Sequence, residues 1–384
     1  MNKFSQILEF IEDSSHEQVE FLKELCNINS FTYNKTGSDG VSALLCSELK
    51  DIFPNQEVHE QIETGDHHLL STGGDGRSLY LLGHVDTVFP PDHPFQSCRE
   101  DGEWLIGPGT ADMKGGLIVF TYALKALHRA RALPDYPIVL ILGADEEQGS
   151  VSSKKIYMSE RNKAFACLVA ECGGENGEFV ISRNGKMGVR LDCYGRDRHV
   201  GTPDSLKSSA VLEIAHKIIN IEALNSLIPG IRTNAGRVEG GIGASTIPAH
   251  ASLLLDIRWE KDEFYPALQN RLKKIAESNH QENCSSRMTI LNRRPALPYH
   301  QKTRILAEKL RETAEGLRIQ IKYLHRHGSS DANFFGSCGV PTLDGFGPVG
   351  IKDHTSEERI LMSSLKERTS LLALFLHNLA RSSY

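Results

Sequence analysis

The 384-residue chain has eight cysteines but no Cys-x-x-C pair, so neither a disulfide framework nor a zinc ribbon is indicated. The thiols (Cys26, Cys46, Cys98, Cys167, Cys172, Cys193, Cys284, Cys338) are scattered as expected for reduced, mostly buried residues, and any metal must be held by histidines and carboxylates. No apolar run is long enough to span a bilayer. The opening MNKFSQILEFIEDSSHEQVE puts Glu9, Glu12 and Asp13 where a secretory signal needs an unbroken apolar core, so a cytoplasmic location is expected. Charge of one sign is also scarce: a net −6 argues against nucleic acid or anionic membrane as partner and for a small molecule. A Gly-x-Ser-x-Gly elbow, a catalytic-cysteine motif, internal repeats and low-complexity segments are all missing, which excludes the common metal-free hydrolase signatures. The length exceeds that of most single compact domains, so two are expected.

What is present is an α/β texture. The apolar runs SLYLLGHVD (78–86), YPIVLILGADEE (136–147) and FACLVAEC (165–172) read as buried strands of a mostly parallel sheet. A helical pattern covers 113–130, with Asp112 at its N-cap position. After about residue 180 the pattern changes to antiparallel strands and helices, which suggests an inserted α+β domain. From about 295 the first texture resumes, with a short strand over 340–346 and a last helix from Ser356 to about Arg381.

Polar residues at the carboxyl ends of parallel strands are favoured for function. His84 and Asp86 alternate onto one side of an extended segment, and an acid two residues from a histidine suits a metal ligand with its orienting partner. Asp112 stands between glycines, and Glu146-Glu147 end an apolar run, where adjacent carboxylates repel unless a cation or proton intervenes. Glu171 follows the third strand, with Glu175 as a nearby rival. His354 closes the loop before the last helix, with His327 as its rival among the sixteen histidines. Each of these also has a structural reading when taken alone. Together, two histidines, three carboxylate ligands and one spare carboxylate match the needs of two zinc ions about 4 Å apart.

These residues resemble the M20 family of metallopeptidases and deacylases, and most closely its glutamate carboxypeptidase (carboxypeptidase G2-like) branch. The resemblance rests on His84-Val85-Asp86-Thr87-Val88-Phe89, on Gly107-Pro108-Gly109-Thr110-Ala111-Asp112-Met113-Lys114-Gly115-Gly116, on Asp145-Glu146-Glu147, and on Ser330-Asp331-Ala332 followed by His354. It implies a di-zinc catalytic domain over 1–184 and 293–384 and a lid or dimerisation domain over 185–292. It further implies that His84 and Glu171 hold one Zn2+ and Glu147 and His354 the other, with Asp112 bridging and Co2+ or Mn2+ as substitutes. Glu146 becomes the general base, Asp86 orients His84, and the peptide joining Asp112 to Met113 is cis.

In the inserted segment the resemblance makes His199 the oxyanion-stabilising histidine, often acting on the partner subunit's site, and Arg258 the grip on a substrate carboxylate. Ser245 replaces an asparagine of the pattern, and Cys172 replaces a proline, bringing a thiol near the metal. The implied function is carboxypeptidase-like release of a C-terminal residue such as glutamate, by a homodimer paired through its lid. The alternatives are an N-acyl amino acid deacylase of the acetylornithine or succinyl-diaminopimelate type and a non-catalytic binding protein on the same fold.

Overall fold

The computed structural model describes residues 2–202 and 207–381. These fall into two compact units, one made of residues up to Ser182, Pro298–His325 and Ser330 onward, the other of Arg183–Leu297 and Arg326–Ser329.

The first unit is built on a six-stranded sheet. Its labelled strands are β1 (Asn55–His59), β2 (His67–Ser71), β3 (Ser78–His84), β4 (Ile138–Gly143) and β5 (Ala164–Val169); with the short strand Thr342–Leu343 they lie in the order β1-β2-β4-β3-β5-Thr342–Leu343. Strands β4, β3, β5 and Thr342–Leu343 run parallel, and β1 and β2 are antiparallel additions at one edge. Every residue of β3 and β4 is buried, the signature of strands covered on both faces. Helix α1 (Gly115–Arg129) packs close because two glycines allow it. A Cβ on Gly116 would lie 1.7 Å from the carbonyl oxygen of Ala170, and one on Gly83 2.4 Å from Leu117 Cδ2. The start of α1 is thereby pressed against the end of β5, one residue before Glu171.

Three sequence expectations need correction. Asp112 does not cap α1: it has φ −123° and ψ 93° in a separate turn over Thr110–Lys114, and its carboxylate is taken up by two histidines. The last helix starts at Met362, because Arg359–Leu361 is extended and pairs with Trp104–Ile106. The strand expected over 340–346 narrows to Thr342–Leu343, since Asp344 and Gly345 turn away to bond elsewhere.

The second unit is a four-stranded antiparallel sheet with helices on one face. Strands β6 (Gly185–Tyr194), β7 (Ile231–Gly240), β8 (His250–Trp259) and β9 (Ser285–Arg294) lie in the order β7-β8-β6-β9. Alternation decides the faces. Leu253, Leu255, Ile257 and Trp259 of β8 join Met187, Val189 and Leu191 of β6 in one apolar core with residues of α2 (Ala210–Glu222) and α3 (Tyr265–Glu277). Lys186 and Arg190 of β6 and Asp256 and Arg258 of β8 alternate with them onto the other face. Chain entry and exit adjoin: Arg183 and Leu297 exchange both backbone hydrogen bonds, at 3.0 and 2.9 Å.

Candidate metal centre

His84, Asp86, Asp112, Glu147 and His354 meet beyond the carboxyl ends of β3 and β4, with Glu146 and Glu171 as their electrostatic neighbours. His84 is the last residue of β3, 1% exposed, and its Nε2 lies 3.1 Å from Oδ1 of Asp112. His354 Nε2 lies 3.1 Å from Oδ2 of the same carboxylate and 3.2 Å from Oε2 of Glu147. One carboxylate thus shares its two oxygens between two imidazoles. His84, Asp112 and Glu147 place donor atoms all within 4.8 Å of one another, a group fit to hold a metal ion.

The backbone around these residues is committed to the arrangement. The Asp112–Met113 peptide is cis, as the resemblance implies, and His354 has φ +61°, a left-handed conformation costly for a residue with a Cβ. Asp86 lies 3.2 Å from His84 Nδ1, and Nδ1 also lies 3.1 Å from the Asp86 carbonyl. The same carboxylate accepts the amides of Glu146 at 3.1 Å and Glu147 at 3.2 Å and the hydroxyl of Thr32 at 2.7 Å. It therefore fixes the loop after β4 as well as the His84 ring. Glu146 and Glu147 open a single 3-10 turn, which aims adjacent side chains in different directions.

Burial and neighbouring charges displace the ionisation of the groups in the cluster. Burial alone would raise the Asp112 carboxyl, but hydrogen bonds with His354 and His84 hold it far below the usual range. Burial and then the Asp112 charge push Glu147 up to about 8. Glu171 is driven well up by burial and by the charges of Asp112 and Asp344. His84 is raised well above an ordinary histidine: burial works against the charge, but Asp112 and Asp86 prevail. Hydrogen bonds to Asp112 and Glu147 lift His354 to about 11. Carboxylates that resist ionisation beside imidazoles that hold their protons are what a divalent cation would relieve, so the donor set fits a metal.

Sequence reasoning missed Glu358 and Lys114. Glu358, 1% exposed, accepts the amides of Ala111 at 2.9 Å and Asp112 at 3.0 Å through one oxygen. Burial pushes its carboxyl up to about 8. Buried Lys114 donates to the carbonyls of Leu25 and Ile28, and burial lowers its ammonium. Both brace the Asp112 turn from behind. Glu358 carries no motif, being only the acid that ends the polar loop before Arg359–Leu361, and Lys114 stands in the quoted glycine-rich pattern without a role assigned to it. Ser330 and Asp331, part of the quoted pattern, are structural here: Ser330 donates to Asp344 at 2.7 Å, and Asp331 accepts from Tyr157 at 2.7 Å and from Ser150.

Glu175 is exposed, and the carbonyl of His327 accepts from Arg258 Nη1 at 3.0 Å within the second unit. Cys172 is buried, its Sγ 3.5 Å from the Pro348 carbonyl. In the second unit, exposed His199 accepts the Gly201 amide at 3.1 Å on a short ladder with Thr246, and exposed Ser245 accepts the amide of Val200 at 2.9 Å. Arg258 lies on the face of its sheet away from the apolar core, its Nε 2.8 Å from Asp256 Oδ1, beside a cavity of about 740 Å³.

The pattern of the whole chain decides the family. A family profile described as peptidase family M20/M25/M40 matches residues 80–378. The chain belongs to that family. Carboxypeptidase G2 of Pseudomonas sp. (strain RS-16) is 24% identical over 381 residues, covering 96% of this chain and 90% of its own. Succinyl-diaminopimelate desuccinylase of Ectopseudomonas mendocina (strain ymp) is 26% identical over 334 residues, covering 79% and 84%. Among solved structures, aminopeptidase PepT from Bacillus cereus ATCC 10987 superposes with a TM-score of 0.75 at 21% identity, covering 95% of this chain and 99% of its own, which shows a shared fold. The chain is thus an M20 metallopeptidase, a hydrolase of amide bonds. No helix among the described residues is long and apolar enough to cross a membrane.

Proposed function

We propose that this M20 enzyme releases a C-terminal residue such as glutamate from a small carboxylate-bearing amide, using two zinc ions held by His84, Asp112, Glu147, Glu171 and His354. The observation that carries the reading is the Asp112 carboxylate, with one imidazole 3.1 Å from each of its oxygens and Glu147 beside the second. A bridging carboxylate offsets the repulsion of two cations. When bound, the metals supply Lewis acidity to the amide carbonyl and its attacking water.

The protein groups divide the remaining work. Glu146, on the 3-10 turn fixed by Asp86, takes a proton from the attacking water and delivers it to the leaving amine. Asp86 holds the His84 ring. Arg258 pairs with the substrate carboxylate as a planar fork, and His199, supplied by a second copy in a homodimer formed through the inserted unit, donates to the developing oxyanion, an effect on the order of 3 kcal/mol in comparable sites. The inserted unit would then be a lid and dimerisation domain, and the enzyme a cytoplasmic one.

The desuccinylase relative favours a second reading, deacylation of an N-acyl amino acid. One assay separates the two: metal content together with hydrolysis of a panel of N-acyl amino acids and dipeptides ending in glutamate, for the natural protein and Glu146→Ala. Two zincs in both proteins, turnover only in the first and preference for a C-terminal glutamate support the carboxypeptidase reading. Preference for short acyl groups selects the second, and full activity in Glu146→Ala overturns the mechanism. Sedimentation showing only monomer at assay concentration would remove His199 from the partner's site.

A further inference from the structure

The register of the second unit sets four cations in one row across its sheet. Arg232 of β7 stands opposite Arg258 of β8, Arg258 opposite Lys186 of β6, and Lys186 opposite Arg294 of β9. Directly paired residues share a face, and like charges placed so are destabilising unless something neutralises them. Within the row Asp256 accepts from Arg258 Nε at 2.8 Å and lies 3.5 Å from Lys186 Nζ, and Arg294 also has a partner. Arg232 has no hydrogen-bond or ion-pair partner among the described residues. Nor does the amide of Asn234, two residues along the same face. The 740 Å³ cavity is lined by Arg232, Asn234, Asp256, Arg258 and the carbonyl-bearing His327, so the unpaired donors open into a space of ligand size.

We propose that Arg232 is a specificity-determining residue that binds a second carboxylate, so that the enzyme acts on amides of acidic amino acids. This rests on the proposed role of Arg258. Cross-strand neighbours stand about 5 Å apart at Cβ, a spacing suited to the α- and side-chain carboxylates of one glutamate or aspartate. One carboxylate pairs with the guanidinium of Arg258, the other with Arg232 and the Asn234 amide. Binding such a dianion relieves the repulsion along the row, whereas a neutral side chain leaves it in place.

The test compares N-acetyl-glutamate with N-acetyl-glutamine, which differ in charge and hardly in shape, on the natural protein, Arg232→Gln and Arg232→Lys. The natural protein should favour the acid in kcat/KM by roughly 30-fold or more, the low end for a desolvated charge pair. Arg232→Gln should bring the ratio close to unity through a raised KM for the acid alone, and Arg232→Lys should restore part of it. An unchanged ratio in Arg232→Gln overturns the proposal. Calorimetric titration of the zinc-loaded proteins with glutarate and with butyrate reads the same contact without turnover. If no amide is cleaved yet glutarate binds more tightly only when Arg232 is present, the hydrolytic reading falls and this one stands. If amides are cleaved and glutarate shows no advantage over butyrate, this one falls.

Discussion

Asp86 shows how many tasks one carboxylate can carry. It lies beside His84 Nδ1 and accepts from Thr32 and from the amides of Glu146 and Glu147, so it couples the first imidazole to the loop bearing the acids. In Asp86→Asn one oxygen becomes an NH2 group facing other donors. Zinc affinity should fall by about 10- to 100-fold, read by competition with a chromophoric chelator; an unchanged affinity would show that the loop holds itself.

Glu358 gives a pH prediction of definite sign. Its carboxyl rises from 4.5 in the unfolded chain to about 8 in the folded one. The folded state therefore binds more protons between these values, and the associated stability is complete below 4.5 and lost as pH rises toward 8. Glu358→Gln keeps an acceptor for the amides of Ala111 and Asp112 and cannot ionise. The metal-free variant should match the natural protein near pH 4.5 and exceed it above pH 8 by roughly 1–3 kcal/mol, measured by urea unfolding at the two pH values. Equal stability at both would mean that water reaches the carboxylate.

At the scale of elements, Gly116 ties helix packing to the site. A Cβ there would meet the Ala170 carbonyl at 1.7 Å, so Gly116→Ala must push α1 from β5 and shift Glu171. A loss of about 3 kcal/mol in unfolding free energy should accompany weaker binding of added zinc through the proposed ligand Glu171; loss of stability alone would mean that Glu171 is not displaced or is no ligand.

The elements also show what a sequence can disclose. Strands β3, β4 and β5 are legible because burial on both faces demands unbroken apolar runs, and the acids and histidine beyond them inherit their places from that. The Asp112 turn is not legible as a turn. A helical apolar pattern runs through Met113, which is buried, but the polypeptide departs from the helix to deliver Asp112 to His84 and His354. Glu358 and Lys114 elude the sequence for another reason. Each is a charged residue whose burial depends on backbone groups far along the chain, and no local pattern encodes such an encounter.

At the scale of the whole molecule, His84, Asp86, Asp112, Glu146, Glu147, Glu171 and His354 belong to the first unit, and the main segment of the second, which also takes in Arg326–Ser329, begins and ends at the paired residues Arg183 and Leu297. Partners that exchange both hydrogen bonds stand about 5.5 Å apart, close enough for a short turn to join them. Replacing residues 184–296 by Gly-Ser repeats should leave a protein that binds added zinc with near-natural affinity and cleaves no amide, since Arg258 and His199, the proposed carboxylate and oxyanion donors, are gone. Metal analysis beside an activity assay checks this, and retained hydrolysis would remove the second unit from the chemistry.

The distance along the chain between Asp112 and His354 matters before the protein is finished. Their side chains meet across 242 residues, with the whole second unit between them. On the ribosome, where earlier segments fold first, Asp112 would wait for its second imidazole until residue 354 had emerged. A chain stopped anywhere before residue 354 would therefore leave one oxygen of the Asp112 carboxylate without its imidazole.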